Sequence, residues 1–195
     1  MTPEHLADAE AHPATKYARA MLDELGIDCH SDSTEATPAR FVKALLELTY
    51  GLHVDPTRHL RVTFEPASDD PGMIIARDVP FVSVCEHHLL LFTGTATVAY
   101  LPKPGARIVG LSKLARVAQE YGARPQVQER LGDQIVSALT DHLDTLGAAC
   151  IIRSAHSCMT CRGARATGAA MVTSHLRGVF REKHEARAEL MMLAG

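Results

Sequence analysis

The sequence has no apolar run approaching the ~18 residues that a membrane-spanning helix needs. It opens Met-Thr-Pro-Glu-His, without the basic and apolar regions of a secretory signal, so we expect a cytoplasmic protein. An excess of positive charge is also missing. Twenty Lys and Arg stand against 23 Asp and Glu, for a formal net charge of −3. Nucleic-acid binders usually carry a strongly basic domain, so that class is disfavoured, while a local basic patch for one anionic ligand is still allowed. The apolar fraction of 46 % is ordinary for a globular protein and excludes wholesale disorder. At 195 residues, one domain with a helical appendage is expected.

An even cysteine count is lacking too. The five cysteines are Cys29, Cys85, Cys150, Cys158 and Cys161. An odd number in a chain without a signal argues against a disulfide framework and favours metal or catalytic use. Of the eleven histidines, His5, His12, His30, His53 and His59 sit in polar, proline-rich or charged surroundings and are expected at the surface. His87, His88 and His156 each lie within three residues of a cysteine.

Helical spacing of apolar residues is seen over Thr15 to Leu25, stopped by Gly26. A second helix opens at Thr37-Pro38, with Phe41, Val42, Leu45, Leu46 and Leu48 as its stripe. These helices form an N-terminal section, residues 1–53, ahead of a main domain, residues 54–195. In that domain we expect a short strand at Arg61–Phe64 and strands at Met73–Ala76, Val79–Val84, Leu89–Leu101 and Arg107–Gly110. Ser112 is expected to cap a helix, and Pro125 to open a longer one running through Leu146. Strands at Ala148–Arg153 and Ala169–Ser174 and a helix at Glu185–Leu193 complete an α+β pattern with a largely antiparallel sheet.

Cys85-Glu-His-His88 is the densest ligand cluster and follows a strand. A turn there can aim Cys85 and His88 at one point, and thiolate plus imidazole suits Zn²⁺. Cys158 is the natural third ligand. Spacing alone leaves two sites open. One has three protein ligands and a vacant fourth position, the layout of a catalytic zinc. The other is a closed Cys₃His site that recruits Cys161 from Cys158-Met-Thr-Cys161. His87 and His156 favour the first, because a hydrolytic site needs acid and base groups within reach. Lys113 and Arg116 share a helix face near a helix N-terminus, and Arg162 and Arg165 follow the cysteine pair, so together they can neutralise a polyphosphate. Glu129 has the two acceptors that match the N1–H and amine of a guanine.

Four motifs resemble GTP cyclohydrolase I, in the same order. They are Cys85-Glu-His-His, Gly110-Leu-Ser-Lys-Leu-Ala-Arg116, Arg124-Pro-Gln-Val-Gln-Glu-Arg-Leu131, and His156-Ser-Cys158 followed by Arg162-Gly163. The likeness runs from about Thr15 to Leu193. It implies the tunnelling fold, a four-stranded antiparallel sheet with two helices on one face, assembled as a toroidal homodecamer with active sites between subunits. It implies Cys85, His88 and Cys158 as zinc ligands and His87 and His156 as catalytic histidines, with Ser112 beside them. Lys113, Arg116 and Arg162 would hold the triphosphate and ribose, Arg40 would reach in from a neighbour, and Gln128 and Glu129 would read the guanine. The implied reaction hydrolyses GTP at purine C8, releases formate and yields 7,8-dihydroneopterin triphosphate.

The chain departs from the family pattern in three places. Leu91 precedes Phe92 where proline is frequent, and Cys161 stands where an apolar residue is common. Ala166–Met171 also lacks the usual charged groups. Cys161 is expected to be a passive small residue, with zinc ligation or redox activity as the alternatives. These departures keep two alternatives alive: a paralogue acting on a related purine nucleotide, and a non-catalytic protein stapled by zinc.

Overall fold

The computed structural model describes residues 11–195, so His5 lies outside the described residues. The chain divides into two compact units, one ending at Val54 and one comprising Asp55–Gly195. In the first, α1 (Ala14–Glu24) packs on α2 (Thr37–Leu48), with Ala18, Ala39 and Val42 buried between them. Pro38 in the first turn of α2 suits a position where no N–H is needed.

The second unit begins with a 3₁₀ segment, Pro56–Arg61, and then β1 (Thr63–Phe64). A long strand β2 (Ile74–Cys85) pairs antiparallel with β3 (Leu91–Pro102). The two strands expected at Met73–Ala76 and Val79–Val84 are thus one. A register shift between Ala76 and Val79, with Asp78 at φ 51°, breaks the alternation that suggested a gap. β4 (Ile108–Val109) pairs with β1, and α3 (Leu111–Gly122) follows. Gly110, not Ser112, is the N-cap of α3.

The longer helix also starts later than expected. Pro125–Gln126 is a short strand, β5, running parallel to the end of β2, and α4 is Gln128–His142. The buried Gln126 side chain explains the shift. It donates to the Tyr121 carbonyl and to Gln134 Oε1, and its own oxygen accepts from Arg130, which holds the segment extended against β2. Leu146 and Gly147 consequently belong to β6 (Thr145–His156) rather than to the helix. A short helix α5 (Ser157–Thr160), strand β7 (Met171–Gly178), α6 (Val179–Glu182) and α7 (His184–Ala194) complete the chain.

The sheet order is β5-β2-β3-β6-β7, so the main sheet has five strands and not the expected four. Its four long strands are antiparallel neighbours, and β5 adds a two-residue parallel edge. α3 and α4 cover one face. Phe81, Phe92, Val98, Tyr100, Cys150 and Ile152 from the strands meet Leu114, Val117, Leu131, Ile135 and Leu139 from the helices. The opposite face carries a smaller cluster, in which Ala99 and Ala149 pack against Phe180 and Leu190. Strand alternation places every second residue on each face, which is why Ala99 and its neighbours Val98 and Tyr100 belong to different clusters.

Candidate metal and catalytic site

β2 and β6 both run antiparallel to β3, so they are parallel to each other and end at the same edge of the sheet. β2 ends at Cys85 and β6 at His156, two residues before Cys158. Residues 73 apart in sequence are thereby brought to one place by topology alone.

A tight turn follows β2. The Cys85 N–H donates to the Leu90 carbonyl at 2.8 Å, and the Cys85 carbonyl accepts from the N–H groups of His88 and Leu89 at 3.3 and 2.8 Å. Leu89 closes this turn with φ 54°, a left-handed conformation that costs a side-chain-bearing residue about 1–2 kcal/mol. The turn folds His88 back, placing its Nδ1 4.0 Å from Cys85 Sγ. Glu86 points the other way and pairs with Arg130, while its N–H donates to the Gln126 carbonyl at 3.0 Å. β5 and α4 are therefore tied to the residue next to Cys85.

Ligand atoms of Cys85, His88 and Cys158 all lie within 4.8 Å of one another. Burial, and after it the adjacent Cys85 thiol, pushes the Cys158 thiol above its ordinary pKa, against a lowering from Arg162. Two sulfurs and an imidazole nitrogen this close suit a divalent ion, because a cation removes the repulsion between paired thiolates. The donor set fits zinc. Cys161 is outside the group and solvent-exposed, unlike the buried cysteines whose behaviour suggested a passive role.

His156 is the best-defined group beside these ligands. It stands opposite Phe92 in the β3–β6 register, and the two rings stack at 4.4 Å with 3° between planes. Its Nε2 is 2.9 Å from Gln128 Oε1. The orientation of Gln128 follows from its other bonds. Its amide nitrogen lies 3.2 Å from the Ile152 carbonyl and 3.3 Å from the Met171 carbonyl, which can only accept. The amide oxygen therefore faces His156 and the Ser154 hydroxyl, which donates at 2.6 Å. Nε2 of His156 must then carry a hydrogen, and Nδ1 of the neutral ring holds the lone pair. Burial depresses the pKa of His156 below its ordinary value, with Glu129 partly opposing that.

The other anticipated residues are not all gathered here. His87 is exposed on the turn with Nε2 3.9 Å from Glu86. Glu129 is exposed in the first turn of α4, near enough to influence His156. Gln128, expected to read a base, is 3 % exposed, with its amide already engaged. Arg162 is exposed after α5 and acts electrostatically on Cys158. Ser112, Lys113 and Arg116 lie elsewhere. α3 runs alongside β2, with Gln119 bonded to the Pro80 carbonyl and Gly122 packed on Phe81, so its C-terminal end is the one nearest Cys85. Lys113 is nine residues upstream, about 14 Å farther along the helix axis. Arg40 is exposed on α2, in the N-terminal unit. No sequence signal marked Phe92 and Ser154 as partners of His156, because only strand register brings them together.

The profile of GTP cyclohydrolase I matches residues 14–195. The chain belongs to the GTP cyclohydrolase I family. Among curated relatives, it is 45 % identical over 175 residues to a GTP cyclohydrolase 1 of Rhodopirellula baltica, covering 90 % of this chain and 75 % of that one. A GTP cyclohydrolase 1 of Pelotomaculum thermopropionicum is 40 % identical, with 94 % and 96 % covered, and one from Thermobifida fusca is 43 % identical, with 91 % and 85 % covered. Family membership agrees with the Cys-His-Cys group at the sheet edge, and the chain is an enzyme of this class.

Proposed function

We propose that the protein is a zinc-dependent GTP cyclohydrolase I that opens the guanine ring of GTP at C8, releases formate and forms 7,8-dihydroneopterin triphosphate. The observation that carries this reading is the convergence of Cys85, His88 and Cys158 beside an oriented His156. Those three residues would hold zinc, which when bound lowers the pKa of a coordinated water to about 7 and supplies a nucleophile at neutral pH.

The remaining chemistry belongs to side chains of this chain. His156 presents Nδ1 as a proton acceptor while Gln128 and Phe92 fix its ring, so the acid-base group is aligned before substrate arrives. It takes a proton as water adds to C8 and returns one as the ring C–N bond breaks. His87, exposed on the turn, serves as the second proton carrier. Glu129 accepts the guanine N1–H and exocyclic amine. In this proposal the Gln128 side chain positions His156 instead of reading the base, because its hydrogen-bonding groups are already used.

Arg162 supports the phosphate side from within the chain. Ser112, Lys113 and Arg116 stand toward the end of α3 away from Cys85, so we assign them to the site of an adjacent copy, with Arg40 as a further candidate. That division supports active sites between subunits, and with it the toroidal decamer of tunnelling-fold domains that the family likeness implies. The triphosphate then contributes binding and positioning remote from the bond that breaks.

The direct test is to incubate zinc-loaded protein with GTP and measure formate and, after oxidation, pterin fluorescence. Stoichiometric zinc with no turnover would remove the proposal. Comparison of kcat/KM across purine nucleotides separates GTP from a related substrate.

A further inference from the structure

We propose that Cys161 is a peroxide-reactive thiol that forms a disulfide with Cys158 and so removes one ligand from the metal site. The observations are positional. Cys158 lies in α5 and Cys161 is its C-cap, with φ −91° and ψ −20°, still helical. The Cys161 N–H donates to the Ser157 carbonyl at 3.0 Å, so Cys158 and Cys161 are one helical turn apart and on the same side of it. Side chains three residues apart on a helix have Cβ atoms about 5–6 Å apart, and a disulfide needs roughly 3.5–4.5 Å. Closing that gap needs Cys161, the C-cap, to leave its helical φ/ψ and turn its Cβ toward Cys158. α5 has only four residues and is followed by an irregular segment, so little structure resists the change.

Exposure selects the sulfur that reacts first. Cys29, Cys85 and Cys150 are buried, Cys158 is half-buried, and Cys161 is exposed. Oxidant reaches exposed thiols first. The Cys161 sulfur attacks the O–O bond of a peroxide, forming an S–O bond and expelling water, and is oxidised by two electrons to a sulfenic acid. The Cys158 sulfur then attacks Cys161, the S–S bond forms, the S–O bond breaks, and hydroxide leaves as water, taking up the Cys158 proton or, where that thiol is already ionised, one from solvent. Two thiols and one peroxide thus give one disulfide and two waters. A dithiol reductant reverses the step by exchange. Once Cys158 is in a disulfide, only Cys85 and His88 of the three donors remain. The disulfide does not depend on the proposed function, but loss of metal rests on reading Cys158 as a ligand.

The experiment treats the zinc-loaded full-length protein with hydrogen peroxide and follows zinc release with a chromophoric chelator. Peptide mapping by mass spectrometry, with and without dithiothreitol, identifies the disulfide. The expected result is a Cys158–Cys161 cross-link, zinc released in step with it, and rebinding after reduction. Cys161→Ser is expected to bind zinc and turn over GTP normally before treatment and to release zinc at least tenfold more slowly under peroxide. A Cys85–Cys158 cross-link instead, or equal release rates in the variant, overturns the proposal. Formation of the Cys158–Cys161 disulfide with zinc retained overturns the ligand reading of Cys158 and leaves the thiol pair standing.

Discussion

Gln128→Leu removes the acceptor that orients His156 and the donor to two carbonyls, yet it touches none of the three candidate ligands. Zinc content should stay at the wild-type level while kcat falls by about 10–100-fold, the usual effect of losing a group that orients a catalytic residue. Atomic absorption and steady-state kinetics check the two halves separately. Cys158→Ala should lose both metal and activity. Under the proposed function His156→Ala should keep metal and lose turnover, since His156 is not one of the three candidate ligands. Cys150 gives a pH prediction with a defined sign. Complete burial raises its thiol to about 12, whereas the unfolded chain ionises it near its ordinary value. Its contribution to stability is full below that ordinary value and is lost as pH rises toward 12, because the unfolded state releases its proton first. Urea midpoints should therefore fall more steeply between about pH 9 and 11 in the wild type than in Cys150→Ala. Tyr100, also raised by burial, gives both proteins a common slope of the same sign.

Two contacts between elements have testable worth. The Pro56–Arg61 segment is fastened to α3 by Glu120, which accepts two hydrogen bonds from Arg58, at 2.7 and 2.6 Å, and lies 2.9 Å from His59. His59 is thereby buried, contrary to its expected surface position: a lone histidine reads as polar until its carboxylate partner is known. Arg58 is 42 % exposed, which screens the pair, so Glu120→Ala should cost about 2 kcal/mol in urea unfolding rather than the larger penalty of a wholly buried pair. Between α4 and β7, a Cβ on Gly132 would stand 2.2 Å from a ring carbon of His175, whose Nε2 is buried without a hydrogen-bond partner. Gly132→Ala should therefore destabilise the wild type. In a His175→Ala background the same change should stabilise, since alanine is favoured over glycine in a helix by about 1 kcal/mol. Denaturant unfolding of the four proteins in this cycle measures the reversal.

For the whole molecule, the proposed function assigns Lys113 and Cys85 of one chain to different sites. Mixing Cys158→Ala with Lys113→Ala, each inactive alone, should restore activity after dissociation and reassembly. Random association of equal amounts leaves about a quarter of sites with both native halves. Absence of any recovery in mixed oligomers, verified by mass, would place both residues in one subunit's site.

The chemistry was legible because it is local. Cys85, His88 and Cys158 stand in short motifs whose residue types suit metal ligation, and the helix periods of α1, α2 and α3 are written in nearest-neighbour spacing. Those features depend on side-chain chemistry and on a 3.6-residue repeat, both present in any stretch of chain. The fifth strand, the single bent β2, the stacking of Phe92 on His156 and the burial of Gln128 and His59 were not legible. Each of them depends on which strand lies beside which and in what register. A one-residue slip between β3 and β6 would preserve every motif and yet turn Phe92 away from His156, because successive strand residues face opposite sides.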